Sequence, residues 1–133
     1  MKAPYQNKKI LVIEIVEDEL PMLKILSDRF KEDGENVIEA RNGDEGLRLA
    51  LKEHPDIILL DLLMPKIDGF EMLKKLREDA WGKTATVIVL TNLKEDLVEE
   101  KVLKAGASEY LVKSDLTLEE IVQKVEEKLK LRA

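Results

Sequence analysis

Apolar residues along the chain follow two alternating patterns. Short runs of neighbouring apolar residues predict strands at residues 10–16, 37–40, 57–60, 86–91 and 109–113. Between the runs, apolar residues recur at intervals of three and four, which is the period of an amphipathic helix. The run at 57–60 contains no polar residue, which is typical of a strand buried on both faces of a parallel sheet.

Five helices are predicted from the spaced apolar positions. Their expected inward-facing residues are Leu20, Leu23, Leu26 and Phe30, then Leu47, Ala50 and Leu51, then Phe70, Leu73 and Leu76, then Leu97, Val98 and Val102, and finally Ile121, Val125 and Leu129. Gly34 and Gly106 follow the first and fourth helices, where glycine commonly ends a helix. Thr117 and Glu120 form a capping box before the last helix.

Strand and helix alternate five times, so the chain is expected to form an α/β fold. Such an alternation predicts a parallel sheet with helices on both faces and right-handed crossovers. A length of 133 residues suits one domain. We expect residues 1–8 to be a flexible leader and residues 9–131 to form the domain.

Composition narrows the classes of function. The net charge of −6 argues against direct DNA binding, because phosphate backbones attract basic surfaces. The chain contains no cysteine, which excludes disulfides, thiolate zinc sites and thiol nucleophiles. It has neither an apolar signal sequence nor a run long enough to span a membrane. We therefore expect a cytoplasmic protein.

Polar residues gather where the predicted strands end. Glu17 and Asp18 follow the first strand, Asp61 follows the third, and Thr91 and Lys113 end the fourth and fifth. Parallel strands bring these ends to one edge of the sheet. An all-oxygen group of carboxylates suits Mg²⁺, while a lysine and a hydroxyl can neutralise a phosphoryl group. The pattern favours phosphoryl transfer, with Asp61 as the acceptor.

These residues resemble those of the receiver domain of bacterial two-component response regulators. The resemblance lies in the acidic pair Glu17-Asp18, the segment Asp61-Leu62-Leu63-Met64-Pro65, Thr91 and Lys113, and it covers roughly residues 8–131. It implies a flavodoxin-like, doubly wound, five-stranded parallel sheet in the order 2-1-3-4-5. It also implies phosphorylation of Asp61 by a histidine kinase or a phosphotransfer protein.

The resemblance further implies a set of Mg²⁺ ligands. Asp18, Asp61 and the backbone carbonyl of Leu63 would bind the ion directly, and Glu17 would act through water. The first strand departs from the family pattern, because Glu14 stands at a position that is normally apolar. A buried carboxylate is costly, so a bulge or a register shift there would move the acidic pair.

Other residues take roles in signalling under the same resemblance. Thr91 and Lys113 would bind the phosphoryl oxygens, and Tyr110 would be the aromatic residue that turns inward when Thr91 moves. The output would be a changed face that binds a downstream protein target, and the only catalysis would be the domain's own phosphorylation and dephosphorylation. The family's Lys-Pro is here Lys113-Ser114, which predicts a trans peptide bond.

Several alternatives stay open at this stage. A flavodoxin would need a glycine- and hydroxyl-rich phosphate loop, and an aspartyl phosphatase would need an acid at Leu63. A receiver-like interaction module that is not phosphorylated is the main alternative. His54 is expected to be solvated surface and Trp81 to pack in a loop, while Tyr110 alone could be core filling.

The lifetime of the phosphorylated form also has a sequence-based expectation. Leu63 and Leu93 occupy positions that border the path of the attacking water in the domains this chain resembles. Neither side chain can hydrogen-bond a water molecule, so self-dephosphorylation is expected to be slow.

Overall fold

The computed structural model describes residues 9–13, 22–61, 69–91 and 95–132. Its strands are β1 (Lys9–Ile13), β2 (Asn36–Ala40), β3 (Ile57–Leu60), β4 (Val87–Thr91) and β5 (Glu109–Val112). Its helices are α1 (Met22–Glu32), α2 (Gly43–Glu53), α3 (Gly69–Glu78), α4 (Asp96–Lys104) and α5 (Leu118–Arg132), with two short 3-10 turns at Gly82–Thr84 and Lys113–Asp115. The α/β fold with a parallel sheet and five helices is confirmed.

The sheet is parallel at every described pairing. β1 pairs with β2 and with β3, β3 pairs with β4, and β4 pairs with β5. The described strands therefore lie in the spatial order β2-β1-β3-β4-β5. Because all described strands run in one direction, the carboxyl ends of β3, β4 and β5 share one edge of the sheet.

Two apolar layers cover the sheet. Ile58 and Leu60 of β3 face the layer of α2, α3 and α4, and Ile57 and Leu59 face the layer of α1 and α5. All four side chains are fully buried. The uninterrupted apolar run therefore has a direct cause, since both faces of β3 meet helices.

Several helices begin and end at the capping residues that the sequence predicts. Gly34 and Gly106 follow α1 and α4 with positive φ angles of 90° and 112°, a conformation that favours glycine. Thr117 and Glu120 form the predicted capping box before α5: each backbone N–H donates to the other's side chain, at 2.9 and 3.1 Å.

The end of α2 has no glycine and was not predicted in detail. His54 closes this helix in the left-handed conformation, with φ of 47°. His54 is an exposed residue, as predicted, and its ring stacks on that of Trp81 with 4.4 Å between the ring centroids. Trp81 also packs against the apolar layer next to α3, which agrees with its expected packing role.

Arg77 at the end of α3 joins two loops at the opposite edge of the sheet. Its Nε donates to the carbonyl of Gly106 at 3.1 Å, and another guanidinium nitrogen donates to the carbonyl of Gly82. Burial lowers the pKa of Arg77 from its ordinary value. This contact fixes the turn from which β5 starts.

Among the residues predicted to face inward whose side chains the structure describes, two are exposed; the side chains of Leu20 and Leu23 lie outside the described part. Leu51 of α2 is 36% exposed and Leu97 of α4 is 80% exposed, so both predictions are wrong. The buried side of α4 is formed by Val98 and Val102, and Leu97 lies about 100° around the helix from Val98. With only nine residues, α4 buries a narrow stripe, and neighbouring leucines fall outside it.

Two leucine-to-alanine substitutions test this assignment. Leu76 of α3 is fully buried, so Leu76→Ala should lower the free energy of unfolding by about 2–5 kcal/mol, because it removes apolar contacts and leaves a cavity. Leu97→Ala should change it by no more than about 0.5 kcal/mol, because the side chain is exposed. Urea unfolding measures both values. Comparable losses for the two variants would contradict the burial pattern of α4.

Candidate functional site

An ion pair joins the ends of two strands that are not neighbours in the sheet. Asp61 follows β3 and is 2% exposed, and Lys113 follows β5. Lys113 Nζ donates to Asp61 Oδ2 at 2.8 Å, with its side chain 10% exposed. The lysine thus reaches past the end of β4 to hold a buried carboxylate.

The strand between them ends in a buried hydroxyl. Thr91 is the last residue of β4, is 0% exposed, and pairs in the sheet with Val112, the residue before Lys113. The structure therefore places Asp61, Thr91 and Lys113 at the carboxyl ends of three adjacent strands. This juxtaposition offers a carboxylate, a hydroxyl donor and a cation at one edge.

The ion pair constrains the edge energetically. A carboxylate and an ammonium removed from water each pay a desolvation penalty, which only a well-formed contact offsets. Loss of either partner would leave a charge in a poorly hydrated site. The Asp61–Lys113 contact therefore holds the carboxyl ends of β3 and β5 in a fixed relation.

Tyr110 lies on β5 three residues before Lys113, opposite Val89 of β4. It is partly buried against the apolar layer next to α4. Burial raises the pKa of its phenol, and the negative charges of Glu99 and Glu95 raise that pKa further. The charges at the start of α4 therefore lie close enough to Tyr110 to affect its phenol. It serves in part as core packing, and its predicted switch role remains a prediction.

The other predicted site residues lie outside the described part of the chain. These are Glu14, Glu17, Asp18, Leu63 and Leu93. Where the structure describes side chains, no group of three or more histidine, cysteine or acidic residues could hold a metal ion. The ligand set, the effect of Glu14 and the slow dephosphorylation stay predictions.

Lys113 is the first residue of a short turn, whereas the sequence analysis placed it at the end of the fifth strand. The peptide bond to Ser114 is trans, as predicted, and Lys113–Asp115 form a 3-10 turn. Polar Ser114 and Asp115 were the available signal for this turn. Glu109 at the start of β5 pairs with Lys124 and Lys128 of α5, contacts that sequence spacing did not reveal.

Comparison with known families agrees with this arrangement. The family model described as "Response regulator receiver domain" matches residues 13–126. The chain belongs to the response regulator receiver domain family. The recognition made from the strand-end residues is thereby confirmed.

Individual relatives match over most of this receiver domain. The "Probable transcriptional regulator ycf27" of Porphyridium aerugineum is 38% identical over 110 residues, which are 81% of this chain and 42% of that protein. The chain thus spans about two fifths of the length of the relative. Because the printed name of this relative is that of a probable transcriptional regulator, the expected absence of DNA binding stays a prediction.

Solved structures resemble the receiver domain over nearly its full length. "Structure of the Francisella response regulator 1452 receiver domain" covers 96% of this chain and 100% of that one, with 28% identity and a TM-score of 0.81. The CheX-CheY-BeF3-Mg+2 complex from Borrelia burgdorferi covers 89% and 86%, with 28% identity and a TM-score of 0.76. Among the described helices, none is long and apolar enough to cross a membrane.

Removal of the Lys113 ammonium group should destabilise the receiver domain. Lys113→Met should lower the free energy of unfolding by about 3–5 kcal/mol, because Asp61 would remain buried without this ion-pair partner. Denaturant unfolding near neutral pH measures the loss.

Lys128→Met is the matched control. Its contact with Glu109 is 3.8 Å long and lies between side chains that are 28% and 25% exposed, so its loss should cost about 0–1 kcal/mol. Equal losses for the two variants would show that the Asp61–Lys113 contact does not constrain the fold.

Proposed function

We propose that this receiver domain accepts a phosphoryl group on Asp61 within a two-component signalling system. The observation that carries the proposal is the 2.8 Å contact between Lys113 Nζ and Asp61 Oδ2, beside the buried end of β4. A histidine kinase or a phosphotransfer protein would be the donor. The domain would act as a signalling acceptor and not as an enzyme with a separate substrate.

The chemistry of the transfer follows from the side chains. An Asp61 carboxylate oxygen would attack phosphorus as the bond from phosphorus to the donor's imidazole nitrogen breaks. The leaving nitrogen keeps the electron pair, and an acyl phosphate forms on Asp61. Lys113 would neutralise charge on the phosphoryl oxygens, and the Thr91 hydroxyl would donate a hydrogen bond to one of them.

The donor chemistry at Asp61 fits Mg²⁺. A carboxylate is an oxygen ligand of the kind that hard cations prefer, and it lies beside a buried strand end. Asp18, Asp61 and the Leu63 carbonyl would hold the ion, with Glu17 acting through water. Bound Mg²⁺ would neutralise negative charge on the incoming phosphoryl group, and the similar Borrelia complex contains Mg and BeF3 by its title.

The proposal includes the complete receiver architecture over residues 9–131. The described strand pairings support the flavodoxin-like, doubly wound order 2-1-3-4-5. A module that binds partners without being phosphorylated is the less favoured alternative. The family match and the joint position of Asp61, Thr91 and Lys113 count against it.

Phosphorylation of Asp61 can be tested directly. Wild type treated with acetyl phosphate and Mg²⁺ should gain the mass of one phosphoryl group, and Asp61→Asn should not, because an amide is a poor nucleophile. Intact-mass spectrometry provides the measurement. Asp56→Asn, just before the start of β3, is the matched control and should label like wild type. Equal labelling of wild type and Asp61→Asn would overturn the assignment.

Phosphorylation of Asp61 would change the binding face through residues of β4 and β5. Thr91 pairs with Val112 and lies one strand away from Tyr110, which packs towards α4. A phosphoryl group that attracts the Thr91 hydroxyl would favour one arrangement of Tyr110 over another. The face formed by α4, β5 and α5 would then bind a downstream protein target.

Loss of the Thr91 hydroxyl should uncouple the two residues. In wild type, beryllofluoride and Mg²⁺ should shift the NMR signals of Tyr110 and its neighbours. In Thr91→Ala these shifts should shrink by more than half, because alanine has no hydroxyl to bond the beryllofluoride and so cannot favour one arrangement of Tyr110. Thr84→Ala, at the opposite edge, is the control and should respond like wild type. Unchanged shifts in Thr91→Ala would refute the coupling.

A further inference from the structure

Lys113 reaches Asp61 from a short link between two elements. β5 ends at Val112 and α5 begins at Leu118, with the 3-10 turn Lys113–Asp115 between them. The hydrogen bond that closes this turn, from the Leu116 N–H to the Lys113 carbonyl, is 3.4 Å long, beyond the usual range. The turn alone therefore holds its lysine weakly.

At the α5 end of the link, the chain is held by a capping box between Thr117 and Glu120. The Thr117 N–H donates to Glu120 Oε1 at 2.9 Å, and the Glu120 N–H donates to Thr117 Oγ1 at 3.1 Å. Leu116 packs against the apolar cluster that contains Ile121. Leu116 directly precedes the capping residue Thr117, and Ile121 is the fourth residue of the helix; these are the two positions of a hydrophobic staple. A capping box and a staple together fix the direction from which a chain enters a helix.

The β5 end of the link is fastened as well. Val112 pairs with Thr91 in the sheet. The Glu109 carboxylate lies 3.6 Å from Lys124 Nζ and 3.8 Å from Lys128 Nζ, which ties β5 to α5. Between these anchors, the position of the Lys113 backbone depends on how the chain enters α5.

We infer that Thr117 and Glu120 are positioning residues for phosphoryl transfer, because their capping box holds the turn that aims Lys113 at Asp61. The inference rests on the proposed function. Both residues are exposed and act through the backbone of the link. Without the box, the first turn of α5 would fray and the Lys113 turn would sample other directions.

The chain supplies a matched control for a purely structural effect. Asn42 caps α2, and its Oδ1 accepts the Glu45 N–H at 3.0 Å. Asn42→Ala removes a cap of the same kind from a helix that does not follow Lys113. Thr117→Ala and Asn42→Ala should therefore lower stability by similar amounts, which urea unfolding checks.

The rate of phosphorylation should differ between the variants that lose the α5 cap and the α2 cap. With acetyl phosphate and Mg²⁺, Thr117→Ala should lower the maximal rate of phosphorylation about fivefold, and Asn42→Ala should stay within about twofold of wild type. Thr117→Ser keeps the hydroxyl and should restore the rate. The half-saturating donor concentration should change less than the maximal rate, because Lys113 acts on the group in transfer.

A second measurement does not depend on phosphorylation. The side-chain NMR signals of Lys113 should move in Thr117→Ala and stay unchanged in Asn42→Ala and Thr117→Ser. The inference is wrong if Thr117→Ala leaves these signals in place, or if both alanine variants slow phosphorylation equally. If wild type itself takes up no phosphoryl group, the proposed function fails, and the Lys113 signals alone decide whether the cap positions the lysine.

Discussion

The contact between the Lys113 ammonium and the Asp61 carboxylate is the constraint on which this structure depends. Both groups are largely withdrawn from water, so neither is easily accommodated without the other. The pair spans the end of β4 and fixes the carboxyl ends of β3 and β5 relative to each other. It also holds a cation against the group that would receive a phosphoryl, so charge compensation is in place before transfer.

The rest of the fold positions this pair. Helices cover both faces of β3 and β4, so residues 57–60 and 87–90 are all apolar, and each run is followed by one polar residue, Asp61 or Thr91. Arg77 fixes the start of β5 through the Gly106 carbonyl, and the caps of α5 fix the chain beyond it. Lys113 thus directly follows a strand whose start is restrained by Arg77 and precedes a helix whose start is capped, while α4 beside this strand exposes Leu97.

The sequence predicted what depends on local pattern or on strand direction. The run at 57–60 indicated a fully buried strand, and parallel pairing alone placed Asp61, Thr91 and Lys113 at one edge. Predictions failed where burial depends on packing partners, as for Leu97, because a helix period does not define how wide its covered stripe is. Ser114 and Asp115 indicated a turn after β5, but its geometry could not be predicted because it depends on contacts between β5 and α5.

The most direct test is a structure of the chain with Mg²⁺ and beryllofluoride. The account predicts beryllium bonded to a carboxylate oxygen of Asp61, with Lys113 Nζ hydrogen-bonded to one fluorine and the Thr91 hydroxyl to another. Beryllofluoride on a different carboxylate, or Lys113 directed away from the fluorine atoms, would contradict it.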